Sequence, residues 1–255
     1  MNVSEGGDRS VVDAIAAAAG ASLLDVHADA FHNRAVLTLA GPAVEDAVRA
    51  VTVEGVRRID LRLHVGVHPR LGAVDVVPFV PLGRSSMDDA IAARDRFADW
   101  AGAELGVPCF LYGPERTLPD VRRHAFTGLV PDTGGAVAHP TAGAICAGAR
   151  GVLVAYNVWL AEGVDVATAR RVAREIRGPA LRALGLDVGG RAQVSMNLID
   201  PSRLGPADAY DAVAFRAPVD WAELVGMVPA TALAAVPRYR WAELDLSPGK
   251  ALPFT

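Results

Sequence analysis

Cysteine is almost missing from this chain of 255 residues, which holds only Cys109 and Cys146. Two thiols so far apart, without a paired spacing, exclude a disulfide framework and a cysteine-rich metal site, and each is expected to be a small core residue in a reducing compartment. Lys and Arg (25) are outnumbered by Asp and Glu (29), for a net charge of −4, and aromatic residues make up only 6%. Nothing in that balance attracts a phosphate backbone, and no aromatic and basic interleaving occurs, so the reading is no nucleic acid. No apolar run approaches the length that crosses a bilayer, and Met1 to Asp8 shows no basic region followed by an apolar one. The expectation is therefore no membrane, no export signal and a cytoplasmic location. Histidine is absent beyond His139: His27, His32, His64, His68, His124 and His139 all precede residue 140. Imidazole chemistry thus belongs to the first half.

What is present is apolar and patterned. Half of the residues (51%) are apolar and 21% are charged, enough for one large core or two ordinary ones. Asn2 to Ser4 reads as a short strand, and Asp8 suits the N-cap of a helix over Arg9 to Ala19, closed by Gly20. Leu23 to Val26 and Ala35 to Leu39 read as a hairpin around the polar loop His27 to Arg34. Pro42 suits the first turn of a helix to about Arg57. A strand over Ala73 to Phe79, a Ser-capped helix from Met87 to Leu105 and a strand over Pro108 to Tyr112 follow, with a helical turn near Pro119 to His124. The second half repeats the alternation: a strand over Gly151 to Val158, a helix from Asp165 to Arg177, and a strand over Ala192 to Ile199. A helix from Pro206 to Phe215, a short strand at Leu224 to Gly226 and a last helix from Pro229 complete it. The pattern predicts an α+β chain of two units, each roughly βαββαβ with helices on one face of its sheet, joined near residue 150.

The stretch His64 to Phe79 concentrates the chemistry. Gly66, Pro69 and Gly72 forbid a continuous helix, because Pro69 lacks an amide hydrogen and restricts the residue before it. A loop results, and the β-branched run after it reads as a buried strand interrupted by one charge, Asp75. Two imidazoles and Arg70 therefore sit where a strand begins, which suits a general acid or base that titrates near neutral pH. A single His near a strand is most often only packed or solvated. A zinc pair is disfavoured: His64 and His68 are four apart but not on a helix, and no third ligand is evident nearby. From Pro131 to Gly148 the residues are small and show no helical period; such a segment serves either as a linker or as a loop that lets a ligand approach the backbone.

Seven ordered blocks then resemble the formiminotransferase family, folate-dependent enzymes that move a formimino group from formiminoglutamate to tetrahydrofolate. They are Asn2 to Gly6; Leu24 to Val26 with His32 to Arg34; His68 to Phe79; Gly148 to Arg150; Ala155 to Asn157; Gln193 to Leu198; and Glu223 to Pro229. The resemblance implies two ferredoxin-like subdomains, residues 1–150 and 151–255, a homodimer, small-molecule substrates, tetrahydrofolate as co-substrate, and the transferase unit without a cyclodeaminase domain. It places the catalytic imidazole at His68 and the folate loop at Gly134, Gly135, Ala136, Val137, Ala138, His139, Pro140, Thr141, Ala142 and Gly143. Arg34, Arg70 and Arg150 are candidates to pair with substrate carboxylates, and His27 stands where mammalian-type members have Asp. Many members have Glu directly before the catalytic His; Val67 stands there in this chain, so the orienting carboxylate is expected from Asp75 or Asp29. Aromatic residues of the folate loop are replaced by Ala138 and Ala142. Loss of transfer with retained folate or pterin binding, or transfer to a different acceptor, are the alternatives on this scaffold.

Overall fold

A computed structural model describes residues 1–66 and 69–253, which divide by contact into two units, Met1–Arg150 and Gly151–Thr255. Each has its own apolar core.

In the first unit, β1 (Asn2–Val3) leads into α1 (Arg9–Ala17), whose N-cap Asp8 accepts from the amides of Ser10 and Val11. An unsatisfied first turn is thereby closed by a side chain adjacent in sequence. The hairpin β2 (Leu23–Asp29) and β3 (Arg34–Leu39) follows, then α2 (Val44–Arg58) and β4 (Val74–Phe79). These six elements form the sheet order β2-β3-β1-β4, antiparallel throughout, as a ferredoxin-like repeat requires. Pro42 lies ahead of the Ala43 cap rather than inside the first turn.

An extension is then added beyond β4. The helix α3 (Met87–Leu105), capped reciprocally by Ser86 and Asp89, leads to β5 (Cys109–Tyr112); α4 (Leu118–His124) precedes β6 (Ile145–Ala149). β6 lies between β4 and β5 and is parallel to both. It carries one β-branched residue among Ala, Gly and Cys, too little to read as a strand from sequence, yet all five residues are buried. Tyr112 shows why small residues are needed: a Cβ on Gly148 would fall 2.0 Å from its ring. Alternate residues of β5 and β6 feed two cores. Cys109, Ile145 and Ala147 pack in the large core with α1, α2 and α3, while Phe110 and Cys146 pack with Val121 of α4 in a smaller one. The helices of the repeat share a face, and α4 of the extension covers the other.

In the second unit, β7 (Val154–Leu160), α5 (Val166–Ile176), β8 (Leu181–Val188), β9 (Arg191–Leu198), α6 (Pro206–Ala214) and β10 (Val219–Val225) give the order β10-β7-β9-β8. This is the same antiparallel permutation without an extension. β8, Leu-Arg-Ala-Leu-Gly-Leu-Asp-Val, lacks a regular alternation and does not read as a strand from sequence, and β10 begins earlier than its apolar end suggests. A short pair, β11 (Val228–Pro229) and β12 (Ala251–Leu252), flanks α7 (Ala230–Ala234). The even-numbered residues of β7 and β9 face the α5 and α6 core. On the opposite face Trp159 stacks on Trp221 at 4.9 Å, and Glu223 accepts from Asn157 (3.0 Å) and Trp159 (3.3 Å). Gln193, opposite Trp159 and Leu186, is fully buried, and neither atom of its amide has a hydrogen-bond partner among the described residues.

Candidate active site

The polar residues of the first unit converge on Asp75. A carboxylate in the middle of an apolar strand must find charge or donors, because burial alone strongly opposes its ionised form. Asp75 is fully buried and accepts from Arg34 Nη1 and Arg122 Nη2, both at 2.6 Å on Oδ2, while the Leu71 amide donates to Oδ1 at 2.8 Å. Burial pushes the carboxyl pKa upward, but the two guanidinium groups and the amide outweigh it, so the group stays below the usual carboxylate range. Arg34 also reaches β1: with its amide oxygen turned to the guanidinium, Asn2 accepts from Nη2 (2.6 Å) and Nε (3.0 Å). Arg34 thus ties three strands together.

The β2 to β3 turn is built by its own side chains. Asp29 accepts from the amides of Phe31 and His32 (2.8 Å each) and pairs through Oδ2 with His32 Nδ1 at 2.8 Å. Burial raises this carboxyl's pKa and the His32 ring and the turn amides lower it further, to about 2. Asn33 takes a left-handed backbone, φ 48°, which Asn tolerates better than most residues. Its Oδ1 accepts from Gly6 (2.9 Å) and Gly7 (3.2 Å), and its Nδ2 donates to the Val65 carbonyl at 2.8 Å. Gly6 is required there, since a Cβ would fall 2.3 Å from the Asp29 carbonyl oxygen.

The His64 loop is attached on several sides. The Ser4 hydroxyl donates to the Gly72 carbonyl at 2.7 Å, Arg122 Nη1 donates to the Pro69 carbonyl at 2.8 Å, and Arg70 lies against the His64 ring. Its pairing with the small-residue segment runs through the main chain. Leu61 N donates to Thr141 O, Ala73 N to Ala142 O, and Ala144 N to Leu71 O, at 2.8 to 2.9 Å. Gly143, at φ +68°, has no room for a side chain: a Cβ would lie 2.1 Å from the Leu71 carbonyl oxygen.

Residues 134–143 form a span held at both ends. At one end Asp132 accepts from the Leu111 amide and the Arg116 guanidinium, Thr133 donates to the Ala98 carbonyl, and Gly134 packs closely on Pro108 and Gly102. At the other, His139 and Gly143 exchange main-chain hydrogen bonds, and His139 Nδ1 accepts from the Ala142 amide at 3.0 Å. Gly134, Gly135, Ala136, Val137, Ala138 and Pro140 are exposed, His139 and Thr141 half-buried. Ala142 is not on that surface; its methyl group packs in the large core.

The sequence-derived candidates therefore separate. Arg34, Asp75, Arg70, Asp29 and the Gly134 to Gly143 span meet in the first unit. His27 shares the β2 strand with Asp29, opposite Val36, and is half-buried. Arg150 is hydrogen-bonded to Tyr112, past the end of β6; burial lowers its pKa against the pull of that hydroxyl. His68 and Val67 lie outside the described residues. The described partners of the two candidate orienting carboxylates are the His32 ring for Asp29, and Arg34 and Arg122 for Asp75. Two arginines escaped the sequence reading. Arg122 sits one position beyond the inward Val121, and Arg94 is buried in α3 with its guanidinium on Glu115 and the Tyr112 and Gly113 carbonyls. A lone Asp in an apolar strand signals that a cation must meet it, but spacing does not say which of many arginines does. Among the described residues no group of three His, Cys, Asp or Glu could hold a metal ion.

The first unit thus holds the guanidinium groups of Arg34 and Arg122 on the buried Asp75 and, joined through the main chain to Leu61, Leu71 and Ala73, an exposed glycine-rich span. Residues 1–150 match the family model for the formiminotransferase domain, N-terminal subdomain. The chain is similar to a glutamate formimidoyltransferase of Streptococcus pyogenes, at 35% identity over 93% of this chain and 90% of that protein. A glutamate formimidoyltransferase of Thermoplasma acidophilum is 34% identical over 93% of this chain and 89% of its own length. The formimidoyltransferase-cyclodeaminase of Gallus gallus is 36% identical over 91% of this chain, which spans half of that longer protein. The chain belongs to the formiminotransferase family, and it is a transferase.

Proposed function

We propose that the chain transfers a formimino group from N-formimino-L-glutamate to tetrahydrofolate, with His68 as general base and then general acid. The observation that carries this reading is the main-chain pairing of Leu61, Leu71 and Ala73 with residues 141–144, next to the exposed glycine-rich span. A flat heterocycle can lie against such a span because few side chains project from it. The donor carries two carboxylates, and Arg34 and Arg70 together outweigh the single charge of Asp75, so the field there attracts an anion.

The chemistry needs little besides position and one proton relay. The N5 amine of the folate attacks the amidine carbon and gives its proton to the imidazole. The bond between that carbon and the glutamate nitrogen then breaks, and the imidazolium returns the proton to the departing amine. One proton enters and one leaves, so no further acid is required. We also infer a homodimer and a cytoplasmic location; among the described residues no helix is long and apolar enough to cross a membrane.

The test is incubation of the purified protein with formiminoglutamate and tetrahydrofolate, following product absorbance. His68→Ala is expected to leave the fold intact and to lower turnover at least roughly a hundredfold. An unchanged rate would remove the imidazole from the mechanism. Folate binding without turnover in the wild type would instead favour a binding homologue, and absence of both would favour another acceptor.

A further inference from the structure

The chain on either side of residues 67–68 is gripped at a carbonyl by a side chain from a different element. Upstream, Asn33 Nδ2 donates to the Val65 carbonyl at 2.8 Å; downstream, Arg122 Nη1 donates to the Pro69 carbonyl at 2.8 Å. Neither clamp is an isolated surface contact. The other face of the Asn33 amide is occupied by the amides of Gly6 and Gly7, which lock its orientation. The other arm of the Arg122 guanidinium is fixed on Asp75, a fully buried carboxylate at the foot of the same loop. Arg122 therefore spans from β4 to the loop as a planar strut, a geometry that suits a guanidinium and not an ammonium.

We propose that Arg122, with Asn33 as its counterpart, is a positioning residue that fixes the main chain of this loop at Pro69 and Val65 in the geometry that transfer requires. This rests on the assignment of His68 made above. Val65, Gly66 and Pro69 are exposed, yet the Gly66 backbone lies so close to the β2 to β3 turn that a Cβ there would fall 2.9 Å from the His32 carbonyl oxygen. The two main-chain acceptors held by side chains from other elements add directional restraint to that contact. A misplacement of about 1 Å at a reacting group costs roughly a hundredfold in rate, so such clamps are expected to act on turnover more than on substrate affinity.

The experiment compares Arg122→Ala, Arg122→Lys and Asn33→Asp with the wild type and His68→Ala. Asn33→Asp keeps the acceptor for Gly6 and Gly7 and replaces the donor to Val65 with a charged acceptor, close to Glu5, which accepts from the same two amides. Arg122→Ala should lower kcat roughly a hundredfold while KM for either substrate stays within about twofold. Arg122→Lys should retain the melting temperature better than Arg122→Ala but recover little of kcat, and Asn33→Asp should lose kcat in the same sense. Amide hydrogen exchange over residues 65–71 should quicken in each variant, a readout independent of activity. A rise in KM at constant kcat would overturn the proposal in favour of direct substrate binding by Arg122. A lower melting temperature with unchanged kcat and unchanged exchange would overturn it in favour of a merely structural tie. If Arg122→Ala does not fold, Arg122→Lys and Asn33→Asp decide. Full activity of His68→Ala, with the clamp variants impaired, would remove the His68 assignment and leave the clamps to be explained by another group on the loop.

Discussion

At the scale of single residues, the first unit is governed by what Asp75 demands. Its ionised form is held more firmly in the folded chain than in the unfolded one, because two guanidinium groups both donate to its Oδ2. That contribution is fully present above about pH 4, the unfolded carboxylate's pKa, and is lost as pH falls through the lower folded value. Asp75→Asn is expected to lower stability by about 3 kcal/mol at pH 7 because it leaves two guanidinium groups with no carboxylate. In urea denaturation repeated at pH 7, 5 and 3, the gap to the wild type should be the same at pH 7 and 5 and narrower at pH 3; a gap that does not change with pH would show that charge is not the cause. Asp29 behaves alike on a smaller surface, with a window from about pH 4 down to about 2. The cluster was half legible in the sequence. Asp75 announces itself as the one charge in an apolar strand, and Arg34 and Asn33 sit in a polar turn between two strands. Arg122 does not, because its partner is 47 positions away and nothing in a short helix distinguishes one arginine from the next.

At the scale of elements, strands with alternating or β-branched residues could be read directly, and those without could not. β4 and β7 are runs of Val and aromatic residues. β6 is Ile-Cys-Ala-Gly-Ala, chosen by the space between two parallel neighbours and the ring of Tyr112, so its sequence records packing and not propensity. β8 exposes Arg182 and Leu184 while burying Leu181 and Ala183, and such a mixed edge resembles a loop until its partner β9 is known. On β9, both polar atoms of the buried Gln193 side chain lack partners among the described residues. A buried amide without partners costs about 1–3 kcal/mol, so Gln193→Leu, which keeps most of the volume and removes both polar atoms, should stabilise the chain by about that amount. Chemical denaturation measures it directly, and a loss of stability would mean that the amide has a partner in solution.

At the scale of the whole molecule, one supersecondary plan occurs twice, once bare and once extended by two helices and two strands. The alternation of elements made the repeat readable although few residues repeat. The extension supplies what the bare copy lacks: α4 brings Arg122, and the connection between α4 and β6 carries the glycine-rich span. Both thiols also lie in this extended sheet, and burial pushes each up to about 12. An aromatic disulfide reagent at pH 8 should therefore find no reactive thiol in the native chain and two after denaturation. Rapid labelling of the native protein would mean that β5 and β6 open without global unfolding.

The span from Gly134 to Gly143 has one more implication, for how relatives diverge. Since it is bolted to α3 and β5 at one end and to the His64 loop at the other, the exposed residues between those fastenings are free to drift in size and polarity while the foundations stay put. Ala138 can become an aromatic ring at the surface, whereas the same exchange at Ala142 would drive a ring into the apolar interior. Two alanines four positions apart on one loop thus differ in the room they leave, one bounded by solvent and one by the core.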